Sequence, residues 1–168
     1  TDFLNLNEQN MLATLKLRQM GVSVKLFGGY NHAERQMAAF YPGTVGFSWE
    51  YPIDCLKITP KALRFSEELG HRDYLGAILN LGVDRSVVGD ILIKDKEAWV
   101  FCLHKMSDFF IDNLVRVRHT TVLVTRVEQA EEIPEPQFEA ISGTCASVRL
   151  DSLIGLAFQT SRSSMVSF

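Results

Sequence analysis

The sequence predicts an α+β protein made of two small units in series. Three observations carry the prediction. Helical spacing and strand-like alternation succeed one another within short stretches, a charged irregular segment at residues 61–70 separates two such groups, and the order after it is helix, strand, strand, helix, strand. With 168 residues, 46% hydrophobic and 22% charged, the chain has an ordinary globular composition and enough length to bury its own core without staples.

Asn5 followed by Glu8 has capping-box spacing, and Met11, Leu12, Leu15 and Met20 recur near helical period until Gly21. Val22 to Phe27 alternates apolar residues with Ser23 and Lys25 and reads as a strand. Gly28-Gly29 then turns the chain into a second helix expected from Asn31 to Phe40, closed by Tyr41-Pro42-Gly43. Residues 45–58, β-branched and aromatic but broken at Pro52, fit two short strands or one bent edge strand. These elements make a first unit of residues 1–65.

His71 to Leu81 places Leu75, Ile78 and Leu79 on one helical face, and Gly82 closes the helix. A short turn of helix, Val83 to Val88, leads to a hairpin of Asp90 to Lys94 and Ala98 to Leu103 across Asp95-Lys96-Glu97. Ser107 can cap a helix carrying Phe110, Ile111 and Leu114, and Thr120 to Val127 is strongly β-prone. Glu128 to Pro136, with four glutamates and two prolines, suits a solvated linker, and Phe138 to Val148 can form a fourth strand. This order resembles the ferredoxin-like, RRM-like split βαβ arrangement used by many RNA-binding domains, here residues 66–147. Arg149 to Phe158 is amphipathic, and Ser161 looks like a helix N-cap.

The net charge of -3 and a pI of about 5.8 argue against whole-molecule attraction to nucleic acid, so any RNA contact must be local. Cys55, Cys102 and Cys145 lie far apart among apolar neighbours and read as buried thiols in a reducing cytoplasm. No metal spacing, signal peptide or membrane-length apolar run occurs in the sequence, and no cofactor is expected.

His71-Arg72-Asp73 has the letters of a kinase catalytic loop, but Ile78 stands where the metal-binding Asn is needed, and no glycine-rich phosphate loop is present. His71 and Asp73 therefore read as helix-start residues, with Arg72 left to face a partner. Phe27-Gly28-Gly29-Tyr30 is either a tight turn or an anion cradle. In the second case Tyr30, His32 and Arg35 are the contacts. Arg116, Arg118 and His119 form either a solvated face or an RNA-phosphate contact, with Arg116 and Arg118 on the same side. No GxSxG elbow occurs, and the carboxylate pairs Glu67-Glu68 and Glu131-Glu132 lie in polar stretches where nothing would raise a pKa. A non-enzymatic protein is expected.

The run from Ser66 through Gly82-Val83 to Gly89-Asp90-Ile91, with Phe27-Gly28-Gly29-Tyr30 and Ala33-Glu34-Arg35 before it, resembles the YlmH family over essentially the whole chain. The tail Ser147-Val148-Arg149-Leu150-Asp151-Ser152-Leu153, followed by Ser161-Arg162-Ser163, is similar to the opening of an S4 domain, the small RNA-binding module of ribosomal proteins, tyrosyl-tRNA synthetases and pseudouridine synthases. Residues 148–168 are expected to be the start of that module, cut short. The resemblance implies that Arg149, Ser161 and Arg162 face RNA. It further implies that the partners are rRNA of the large ribosomal subunit and a stranded peptidyl-tRNA, met in ribosome-associated quality control. Some family members carry a cell-division label, so the rival expectation is a protein-protein adaptor.

Overall fold

The computed structural model describes residues 2–43, 50–129, 132–135, 140–144 and 149–158. The chain divides into two compact units, residues 1–135 and 136–168.

In the first unit, helix α1 spans Leu6–Thr14 and opens on the expected capping box. The Glu8 N–H donates to Asn5 Oδ1 at 2.9 Å, and the Asn5 N–H donates to Glu8 Oε2 at 2.7 Å. A 3-10 turn, Leu17–Met20, ends at Gly21 with φ +74°. Strand β1 (Val22–Phe27) pairs antiparallel with β2 (Met37–Pro42). The second helix expected over residues 31–40 is therefore a loop and a strand. Met37-Ala38-Ala39 has local helix propensity, but His32 at φ +69° breaks any helix, and β1 supplies a strand partner for residues 37–42.

There follow β3 (Ile53–Pro60), α2 (His71–Leu79), β4 (Val88–Lys94), β5 (Glu97–Leu103), α3 (Ser107–Asn113), β6 (Arg116–Val117) and β7 (Thr120–Arg126). The five strands form one antiparallel sheet in the order β4-β5-β3-β7-β6. Apart from the two-residue β6, this is the ferredoxin-like β-α-β-β-α-β arrangement, with β3 as its first strand. β3 is thus central, where two short strands or one bent edge strand had been expected, and the sheet spans the junction anticipated at residue 65. Pro52 lies just before β3 and Pro60 at its last position, so neither proline removes a hydrogen bond from the strand interior. Residues 44–49 of the expected strand region lie outside the described residues.

One sheet face carries Leu56, Ile58, Ala98, Val100, Cys102, Val122 and Val124, packed against Tyr74 and Ile78 of α2 and Phe110 of α3. Tyr74 and Ile78 are one turn apart, each 1% exposed, and burying such side chains contributes about 1.5–3 kcal/mol apiece. That outweighs the roughly 1 kcal/mol helix-propensity cost of Gly76 between them. The opposite face carries Cys55, Trp99, Phe101 and Leu103 beneath Phe3 and Met37, with Tyr30 and Tyr51 packed alongside. β7 alternates, burying Val122 and Val124 and exposing Thr121, Leu123 and Thr125.

Ser107 was expected to cap α3, but Met106 holds the N-cap position. Ser107 is the first helical residue, fully buried, and its hydroxyl donates to Asp54 Oδ2 at 2.6 Å. Asp54 also meets His104 Nδ1 and Arg126 Nε, each at 3.0 Å, which ties β3, α3 and β7 together. Burial alone would push the Asp54 carboxyl up, but the hydrogen bonds from Ser107 and His104 and the charge of Arg126 hold it below the usual carboxylate range.

In the second unit, α4 spans Leu150–Ala157, as the amphipathic pattern of residues 149–158 predicts. A side chain on Gly143 would collide with Leu156, so residue 143 lies directly against this helix. Residues 140–144 form no strand, and the rest of the strand expected over 138–148 falls largely outside the described residues. No helix among the described residues is long and apolar enough to cross a membrane.

Candidate nucleic-acid interface

Helix α2 and the short link from α3 to β6 enclose a cleft of about 530 Å³ on the helix side of the sheet. Arg72 and Gly76 on α2 and Asn80 at its C-cap follow one another at four-residue intervals, so helical geometry sets them in a row along one wall. Asn113, Val115, Arg116 and Arg118 also line it. A Cβ at Gly76 would meet nothing within 4 Å, so the α2 wall is open there. Arg116, Val117 and Arg118 alternate in exposure, with Val117 buried and both arginines exposed.

The charges in the cleft are unequal in their commitments. Asp73 Oδ2 accepts the Gly70 N–H at 2.8 Å, fixing the start of α2, and Asp73 Oδ1 lies 3.5 Å from Arg118 Nη1. Among the described residues no carboxylate pairs with Arg72 or Arg116. Arg118 stands at φ +50°, in the two-residue turn between β6 and β7 that glycine or asparagine usually fills. The result is a guanidinium-bordered slot whose donors can reach phosphate oxygens.

The Gly28-Gly29 turn carries an anion of its own. The Asp90 carboxylate accepts the Glu34 N–H at 2.6 Å, the Arg35 N–H at 3.1 Å and the Tyr30 hydroxyl at 3.0 Å. Arg35 Nε donates to the Val88 carbonyl, and its Nη2 donates to the carbonyls of Phe3 and Arg85. Tyr30 stacks on Phe101 with ring centroids 4.8 Å apart. Burial, followed by the Asp90 charge, raises its hydroxyl well above the ordinary phenol value. Tyr30 and Arg35 thus hold the N-terminal segment onto the sheet, and His32 is exposed beside them.

Arg149 is exposed and holds the N-cap position of α4, where its carbonyl accepts the Ser152 and Leu153 N–H groups at 3.0 Å. Ser161 and Arg162 lie outside the described residues. The structure therefore unites Arg72, Arg116 and Arg118, while Tyr30 and Arg35 lie in a separate cluster and Arg149 in the second unit. Sequence reasoning missed Gly76, Asn80 and Asn113, although the Arg72-Gly76-Asn80 spacing was a signal. Nothing in the sequence announces the meeting of Asp54 with His104, fifty positions away.

Residues 49–131 match the family described as the putative RNA-binding domain in YlmH. Over 96% of its length the chain is 27% identical to the ribosome-associated protein quality control protein P2 of Bacillus subtilis (strain 168), and it spans 63% of that relative. Among solved structures it is similar to cell division protein ylmH from Streptococcus pneumoniae, with a TM-score of 0.62 and 25% identity, covering 80% of this chain and 81% of that one.

Proposed function

The chain belongs to the YlmH family, and on that premise we propose that it is a cytoplasmic protein that acts in ribosome-associated quality control by binding RNA, without covalent chemistry. Its partners in this reading are rRNA of the large subunit and peptidyl-tRNA. The observation that carries the proposal is the gathering of Arg72, Arg116 and Arg118 around one cleft inside the matched RNA-binding domain. An acidic chain needs such a local concentration of guanidinium groups to hold phosphates. Arg149, Ser161 and Arg162 would add a second contact through the S4-like tail.

Co-sedimentation with large ribosomal subunits tests the reading. Three phosphate contacts predict a fall in affinity of roughly 40-fold between 50 and 200 mM salt, and Arg116→Glu should release the protein at the lower salt. A chain that fails to pellet at either salt would count against ribosome association.

The rival is a protein adaptor linked to cell division. It draws on the pneumococcal protein's name and on Leu6, Met11 and Leu15, which are exposed along and just after α1. Binding through those side chains would be nearly insensitive to salt.

A further inference from the structure

We infer that the central domain grips the sugar-phosphate backbone of base-paired RNA from its helix side, and that its sheet is closed to the unstacked bases that ferredoxin-like RNA binders ordinarily take. The inference rests on the RNA-binding reading above and specifies the RNA class and the face.

Sheet-type RNA readers stack bases on aromatic side chains in the middle of the sheet. Here the central aromatics are Trp99 and Phe101, 4% and 1% exposed. Phe101 is covered by the stacked Tyr30 ring, and both pack in the cluster built around Phe3 and Met37. The part of the same face left open on β7 offers Thr121, Leu123 and Thr125, none of which presents a ring to a base.

The helix-side cleft has the complementary character. Among the described residues no aromatic side chain lines it. Its borders are the guanidinium groups of Arg72, Arg116 and Arg118, the last beside Asp73, and among apolar neighbours its walls carry the amides of Asn80 and Asn113, the latter with one N–H already given to the Phe109 carbonyl. Arginines suit phosphate oxygens, and asparagine amides can both donate to and accept from a ribose 2′-hydroxyl, the group that separates RNA from DNA. The open space over Gly76 lets a backbone approach the helix closely. A site rich in phosphate and sugar partners but lacking stacking surfaces favours a duplex, whose bases are already stacked on one another.

Fluorescence anisotropy with a labelled 16-base-pair RNA duplex, the DNA duplex of the same sequence and the single RNA strand would test this, at 50 mM salt. The RNA duplex should bind tightest. Gly76→Leu, which fills the open space over the α2 wall, and the double change Arg72→Ala with Arg116→Ala, which removes two exposed side chains, should each weaken duplex binding by about tenfold or more. The arginine pair should leave the melting temperature unchanged, so its result stands even if Gly76→Leu fails to fold. Single strand bound as tightly as duplex, or duplex bound normally by the arginine variant, would overturn the inference while leaving RNA binding intact. If no RNA binds, both the inference and the RNA-binding reading of this domain fall.

Discussion

The Asp90 carboxylate on β4 occupies the main-chain N–H of Arg35 at 3.1 Å, and this contact fastens the segment after the double-glycine turn to the edge of the sheet. The Glu34 N–H and the Tyr30 hydroxyl complete its coordination. Asp90→Ala strands three donors at once and should lower stability by about 2 kcal/mol in urea denaturation. Hydrogen exchange should report the loss first at the Glu34 and Arg35 amides. Equal protection of those amides in variant and parent would show that the carboxylate does not hold the segment.

Asp54 makes a second junction, and it gives stability a pH dependence. Its carboxyl titrates below the usual carboxylate value, so the folded state favours the ionised form. The contribution is present above the unfolded-state value near 3.8 and is lost as pH falls through the lower folded-state value. Asp54→Asn should therefore cost about 1–3 kcal/mol at pH 7, and the gap from the parent should shrink below pH 4. A gap of constant size down to pH 2 would separate the destabilisation from the charge.

Two glycines should answer alanine in opposite directions. Gly29 sits at φ +102°, where a Cβ would overlap the Phe101 ring, so Gly29→Ala combines backbone strain with a clash and should cost about 2 kcal/mol or more. Gly76 lies within α2 with open space around it, and Gly76→Ala should raise stability by about 0.5–1 kcal/mol. Thermal melts of the two variants, compared with the parent, would expose an inverted order.

Burial pushes both the Cys55 and the Cys102 thiols up to about 12, so neither forms appreciable thiolate at neutral pH. Labelling of the native protein with a thiol reagent at pH 8 should leave both unmodified for as long as the fold persists. Denaturant should release them together, as peptide mass mapping would record. Rapid native labelling of either residue would mean that the sheet opens locally at that strand.

Much of the sheet domain could be read from local pattern. α2, the β4-β5 hairpin and β7 each carry their own periodicity and turn residues, and the structure keeps them within a few positions of where the sequence sets them. Arg116 and Arg118 both border the cleft, but Arg118 does so from the turn at φ +50° rather than by strand alternation. What escaped the sequence is decided by distant partners. Met37 to Phe40 takes its conformation from pairing with β1, against local propensity. β3 owes its central place to β5 on one side and β7 on the other, which no feature of residues 53–60 discloses. The cleft required knowing that α2 and the α3-β6 link are neighbours, and the Asp54 junction required a contact across fifty positions.

The placement of β3 also bears on how the chain is made. Leu56 pairs with Val100 on one edge and with Arg126 on the other, so the strand leaves the ribosome long before either neighbour exists. At a synthesis rate of about 5–20 residues per second it waits several seconds with both edges bare. Its exposure to stray pairing during that interval is tempered by Lys57 at mid-strand and Pro60 at its end, residue types that discourage edge-to-edge association. The same strand that unifies the finished sheet is thus the one most in need of protection while the nascent chain is still growing.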